Sequence, residues 1–129
     1  MADTTPPAST PGDLVTRLAE DPSSTALLFD FDGTLSPIVE DPTTARPAEG
    51  VVELLDRLAG RYRTVAVISG RPVDFLVANL PPSLLLSGLY GLEASIGGER
   101  RDRPGMEPWR EVIADAAARA EAAGIDGLW

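Results

Sequence analysis

Two aspartates, Asp30 and Asp32, stand two positions apart in the string Phe29-Asp30-Phe31-Asp32-Gly33-Thr34-Leu35. In extended chain, residues at i and i+2 point to the same side. The two carboxylates therefore converge where the chain leaves the apolar run Ala26-Leu27-Leu28-Phe29. Close carboxylates repel, so either one carries a proton or a cation lies between them. Both states serve phosphoryl transfer. An ionised Asp30, beside a cation that screens the phosphate charge, can attack phosphorus and form an aspartyl-phosphate. A partly protonated Asp32 can donate to the leaving oxygen and then take a proton from the attacking water. Gly33 allows a tight turn that presents backbone N–H groups to phosphate oxygens, which makes Gly33 and Thr34 candidate phosphate contacts. The plainer alternative is an Asp-Gly turn between two elements. A calcium loop fails on spacing. With Asp30 at its first position, Leu35 falls where glycine is required and Asp41 where the closing glutamate belongs.

The second cluster is Ser69-Gly70-Arg71, directly after the apolar run Thr64-Val65-Ala66-Val67-Ile68. A serine between a strand and a helix N-terminus can hold phosphate through its hydroxyl and the nearby N–H groups. The same serine can be a plain helix cap. One strand-helix-strand crossover separates it from Asp30, which favours phosphate binding by Ser69 with Gly70 beside it. Arg71 either touches substrate or makes a surface salt bridge.

Two such clusters need a sheet whose strand ends meet. Ala26–Phe29 reads as a strand buried on both faces, as in a parallel sheet. Gly33 to Pro47 reads as an extended active-site loop. A helix follows over Ala48–Ala59, then a strand over Thr64–Ile68 and a helix from Pro72 to about Asn79. A third strand is expected at Leu84–Leu86 and another short one between Tyr90 and Ile96, ending at Gly97-Gly98. Glu99–Gly105 reads as a charged loop. Pro108 opens a helix to about Ala123 with Trp109, Val112, Ile113, Ala116, Ala117 and Ala120 on one face. Asp13 is the expected cap of a short helix to about Ala19 carrying Leu14, Val15 and Leu18. Residues 1–12 read as a flexible tail, and Gly127-Leu128-Trp129 as an interrupted strand, with Asp126 in the turn before it. Strand, helix, strand, helix, strand is an α/β order, in which right-handed crossovers leave neighbouring strands parallel.

Composition narrows the chemistry. The 129 residues fit one modest domain, and 43% hydrophobic content is enough for a core. All 11 basic residues are arginine, against 20 acidic ones, for a net charge of −9. That balance argues against nucleic-acid binding, which needs a basic footprint. The chain has no cysteine and no histidine, which rules out thiolate or Ser–His catalysis and zinc–thiolate sites. Any metal is held by oxygen, which suits magnesium. No apolar run approaches a membrane span, and the N-terminus lacks the pattern of a signal peptide, so no membrane partner and a cytoplasmic location are expected.

Phe29 to Leu35 resembles the first motif of the haloacid dehalogenase-like phosphatase superfamily, and Ile68-Ser69-Gly70-Arg71 its second. The extension Ser36-Pro37-Ile38-Val39-Glu40-Asp41-Pro42, followed by Ala45, is similar to trehalose-6-phosphate phosphatases. The resemblance covers about residues 24–129 and leaves 1–23 as a tail and short helix. It implies a haloacid dehalogenase-like Rossmannoid core with a parallel sheet, and hydrolysis of trehalose 6-phosphate with Mg2+. Carried over, Asp30 is nucleophile and metal ligand, and Asp32 is acid/base and binds magnesium through its main-chain carbonyl. Ser69 holds the phosphate. Tyr90 stands where the family commonly has histidine, and packing with a locally satisfied hydroxyl is the alternative to a substrate contact there. The family's lysine and acidic cluster lie beyond a small cap, so the chain is expected to be the N-terminal part of the core, without cap or C-terminal strands, and a poor catalyst alone. Two other functions stay open: a phosphatase for another sugar phosphate such as sucrose phosphate, or a non-catalytic binding fragment of the same fold. Oligomeric state is not readable from these residues.

Overall fold

The computed structural model describes residues 10–124. In chain order these form α1 (Pro11–Glu20), β1 (Ala26–Phe29), α2 (Val51–Ala59), β2 (Thr64–Ile68), α3 (Val73–Asn79), β3 (Leu85–Gly88), β4 (Glu93–Ile96), β5 (Glu99–Asp102) and α4 (Glu107–Ala122). The strands make one sheet in the order β1-β2-β3-β4-β5. β1 and β2 are parallel, with Phe29 opposite Val67. β2 and β3 are parallel, with Val67 opposite Leu86. β3–β4 and β4–β5 are antiparallel. The expected α/β core is present, and the sheet is mixed rather than parallel throughout. No helix among the described residues is long and apolar enough to cross a membrane.

Strands β1, β2 and β3 lie side by side in chain order, so right-handed crossovers put α2 and α3 on one face. Leu55 of α2 and Leu76 of α3 pack there with Val65, Val67 and Leu86, and Leu27 and Phe29 join from β1. The side chains between them point the other way, where Leu28 is 61% exposed and Ile68 43%. The expectation that β1 is buried on both faces is thus corrected. An unbroken apolar run reports the strand's hydrophobicity, while coverage depends on which face the crossovers choose. Helix α1 does not cover the second face closely, since Leu14, Val15 and Leu18 stay 40–65% exposed.

Other boundaries move for local reasons. Thr10, not Asp13, caps α1; Asp13 is the reciprocal member of a capping box, accepting from the Thr10 N–H at 3.0 Å while Thr10 Oγ1 accepts from the Asp13 N–H at 3.2 Å. Helix α2 starts at Val51 because Gly50 is left-handed at φ 76°. Pro72 precedes α3 as its cap rather than opening it. β3 begins one residue later than expected and runs on to Gly88. The charged stretch expected as a loop contains β5. Gly97 and Gly98, at φ 60° and 80°, form a two-residue turn that pairs Ile96 with Glu99. That Gly-Gly turn was the legible signal. Helix α4 lies where expected, but its apolar residues Trp109, Val112 and Ile113 are 56–58% exposed. The tail before Thr10, the Asp126 turn and the strand expected at Gly127–Trp129 lie outside the described residues.

Candidate active site

Parallel pairing of β1 and β2 brings the residues that follow them to the same sheet edge. Asp30, Asp32, Ser69, Gly70 and Arg71 line one open cleft of about 700 Å³, with Tyr90 also on its wall. Between the two aspartates, Phe31 is fully buried and meets Phe75 of α3 edge-on at 5.4 Å. Burying that ring is what turns Asp30 and Asp32 outward together.

The loop then folds back on itself. The Leu35 and Ser36 N–H groups donate to the Phe31 carbonyl at 2.9 and 3.0 Å, and Gly33 N–H donates to the Ser36 carbonyl at 2.8 Å. Gly33 sits at φ 81°, a conformation that favours glycine. Thr34 N–H also donates to Phe31. The N–H groups of Gly33 and Thr34 are therefore spent inside the turn, and neither residue lines the cleft. Both residues thus have a part in closing the turn. The carbonyls used for closure are those of Phe31 and Ser36, which leaves the Asp32 carbonyl outside these bonds.

Ser69 is 4% exposed. Its Oγ accepts from the Arg71 N–H at 3.1 Å, and its own O–H donates to no acceptor among the described residues, so that hydrogen is available to the cleft. The helix expected from Pro72 starts one residue later, at Val73. The Val73 N–H is already taken, donating to Glu93 Oε2 at 3.0 Å. Glu93, to which the sequence reading gave no role, is bound in turn by Arg100. The first N–H of α3 is thus taken by an internal carboxylate.

Arg71 settles between its two expected roles. Its Nε and Nη2 donate to the two Asp32 oxygens at 2.9 and 2.7 Å. Its Nη1 donates to the Pro42 carbonyl, and the guanidinium lies 4.4 Å from the Phe75 ring centroid. The side chain is 15% exposed, so this is no loose surface pair. The Arg71 hydrogen bonds hold the Asp32 carboxyl below its ordinary value. A partly protonated Asp32 is therefore not the resting state; Arg71 answers the carboxylate repulsion with charge instead. The Pro42 contact has no counterpart in the sequence pattern, because a backbone carbonyl carries no residue signature.

Tyr90 does not pack away. It is 88% exposed and stands at φ 55°, next to Leu89 at φ 47°. Two consecutive non-glycine residues in that region are uncommon and costly.

The trehalose-phosphatase family model matches residues 28–111 of this chain. The chain belongs to the trehalose-phosphatase family. It is 61% identical over 96 residues to the trehalose-phosphate phosphatase of Mycolicibacterium paratuberculosis, covering 73% of this chain and 24% of that protein. To the Mycobacterium leprae trehalose-phosphate phosphatase it is 44% identical over 96 residues, covering 73% and 22%. The chain thus spans under a quarter of the length of these curated relatives. Among solved structures, an Aspergillus fumigatus trehalose-6-phosphate phosphatase aligns with a TM-score of 0.66 at 28% identity, covering 88% of this chain and 44% of that one. A trehalose-6-phosphate phosphatase related protein aligns with a TM-score of 0.68 at 21% identity, covering 76% and 42%, and speaks for the fold. The haloacid dehalogenase-like core expected from the sequence is the architecture of these neighbours.

Proposed function

We propose that the protein hydrolyses trehalose 6-phosphate to trehalose and phosphate, with Asp30 as nucleophile. The observation that carries this is the convergence of Asp30, Asp32 and Ser69 on one cleft at the ends of two parallel strands. A phosphate seated by the Ser69 hydroxyl meets the Asp30 carboxylate, which attacks phosphorus while the sugar oxygen leaves. Asp32, held ionised by Arg71, is suited to the second half of the reaction, taking a proton from the water that attacks the aspartyl-phosphate. In the first half the Arg71 fork loosens as substrate enters, Asp32 takes up a proton from solvent or from the monoanionic phosphate, and it passes that proton to the leaving sugar oxygen.

The donor set fits magnesium, since the cleft offers hard oxygens: the Asp30 carboxylate and the Asp32 carbonyl would hold it. Among the described residues no group of three or more carboxylates is placed to hold a metal. When bound, magnesium supplies the charge that offsets repulsion between Asp30 and the phosphate.

The test is a panel of sugar phosphates offered to the full-length protein, with Asp30→Asn alongside. Trehalose 6-phosphate should be preferred over sucrose phosphate, and Asp30→Asn should lose turnover while remaining folded. Near-normal rates for Asp30→Asn would remove Asp30 as nucleophile. Preference for another sugar phosphate would keep the chemistry and change the substrate. Folded, ligand-binding wild-type protein without turnover would favour the non-catalytic module.

A further inference from the structure

We propose that Tyr90 is the aromatic wall against which the sugar part of the substrate lies, and that Gly70 is glycine so that this ring can stand there. The proposal deepens the phosphatase reading above and rests on it. Three independent features meet at Tyr90.

The first is cost without an internal return. An aromatic ring 88% exposed has forgone the burial that usually rewards a tyrosine. Its backbone, with that of Leu89, is left-handed at φ 55° and 47°. Such strain persists only where the surroundings enforce it, and it gathers at ligand sites.

The second is rigid placement. Tyr90 N–H donates to the Ser69 carbonyl at 3.2 Å, and Leu89 N–H donates to the Arg71 carbonyl at 2.9 Å. The two bonds lace this segment to the turn that carries Ser69, so the Tyr90 backbone keeps a set position relative to the phosphate seat.

The third is Gly70. A methyl group there would lie 2.6 Å from the Tyr90 hydroxyl oxygen and 2.7 Å from Cζ. Gly70 has no positive φ to explain it, and a side chain there would have to push the ring tip out of its place. Together these put a flat apolar surface, tipped by a hydroxyl, in the same cleft as Asp30 and Ser69. A sugar offers faces of C–H bonds rimmed by hydroxyls, and an aromatic ring with a polar edge complements both. The ring face offers phosphate nothing, so that face bears on the leaving group.

The experiment measures kcat/KM of the full-length enzyme for trehalose 6-phosphate and for acetyl phosphate, which has no sugar. In Tyr90→Ala the ratio of the two should fall roughly tenfold, mainly through KM, as expected for a lost aromatic contact. Tyr90→Phe should keep most of the ratio. Gly70→Ala should lower it by displacing the ring. Since Tyr90→Ala can fail to fold, a second measurement uses Asp30→Asn protein with trehalose 6-phosphate, where the Tyr90 ring resonances should shift on binding while inorganic phosphate moves them less. An unchanged ratio in Tyr90→Ala, or ring resonances indifferent to the sugar, overturns the proposal. Wild-type enzyme inactive on every sugar phosphate overturns the phosphatase reading and this proposal with it, whereas active wild type with an unaffected ratio overturns this one alone.

Discussion

Replacing Gly88 by alanine should destabilise the protein and disable the cleft in one step. Gly88 ends β3, and the chain segment 71–73 crosses directly over it. An added methyl would sit 2.5 Å from the Val73 nitrogen, 2.7 Å from the Arg71 oxygen and 3.0 Å from the Pro72 carbonyl carbon. All three are backbone atoms, so no rotamer change relieves the clash, and the segment must retreat by roughly 1 Å. That motion strains the Leu89 N–H to Arg71 carbonyl bond of 2.9 Å. Overpacking of this kind costs about 1–3 kcal/mol, and a weakened hydrogen bond adds about 1 kcal/mol. A loss of about 2–4 kcal/mol corresponds to roughly 5–15 °C in Tm for a domain of this size. Arg71 and Ser69 ride on the displaced turn, and a 1 Å misplacement can cost on the order of a hundredfold in rate. The assay is thermal or urea unfolding of full-length protein together with kcat on trehalose 6-phosphate. Gly97→Ala is the contrast: it also removes a glycine, but nothing lies within 4 Å of the new methyl and only the φ of 60° opposes it. Gly88→Ala with a Tm and kcat close to wild type, or no worse than Gly97→Ala, would refute the close-approach argument.

Arg71→Lys keeps the charge but not the two-pronged grip on Asp32, so kcat should fall roughly tenfold or more, and Arg71→Gln further; equal rates for all three in steady-state kinetics would show that the fork is idle. Ser69→Ala should cost about 2.7–4 kcal/mol in transition-state binding, roughly a hundred- to thousandfold in kcat/KM. The Val73 N–H of α3 offers no substitute, since it is already bonded to Glu93, and a loss under threefold would move the phosphate seat elsewhere. The Asp13 carboxylate, held below its ordinary 3.8 by the Thr10 hydrogen bonds, stabilises the α1 cap above that value. The contribution disappears as pH falls through the lowered folded-state pKa; the Thr10 amide resonance should follow that titration, and a Thr10 amide indifferent to pH there would remove the capping box.

The sequence alone determined the chemistry available and most of the elements that carry it. The absence of histidine and cysteine removed imidazole and thiolate chemistry, the motifs around Asp30, Asp32 and Ser69 marked these as the candidate groups, and hydrophobic runs placed β1, β2 and the helices near their observed bounds. These readings work because residue type and local periodicity are written in the chain. Tertiary structure decided what those residues face. Whether β1 was covered on one side or two depended on both crossovers falling on the same face. Whether Asp32 rests as acid or base depended on Arg71, 39 positions away. Whether the first N–H of α3 was free depended on Glu93, delivered by β4 from 20 positions beyond Val73. Even the glycine at position 70 has its reason in a ring that the chain brings back later. Charge, capping and close contact act through space at a few ångströms, and only the folded sheet brings such distant positions that near.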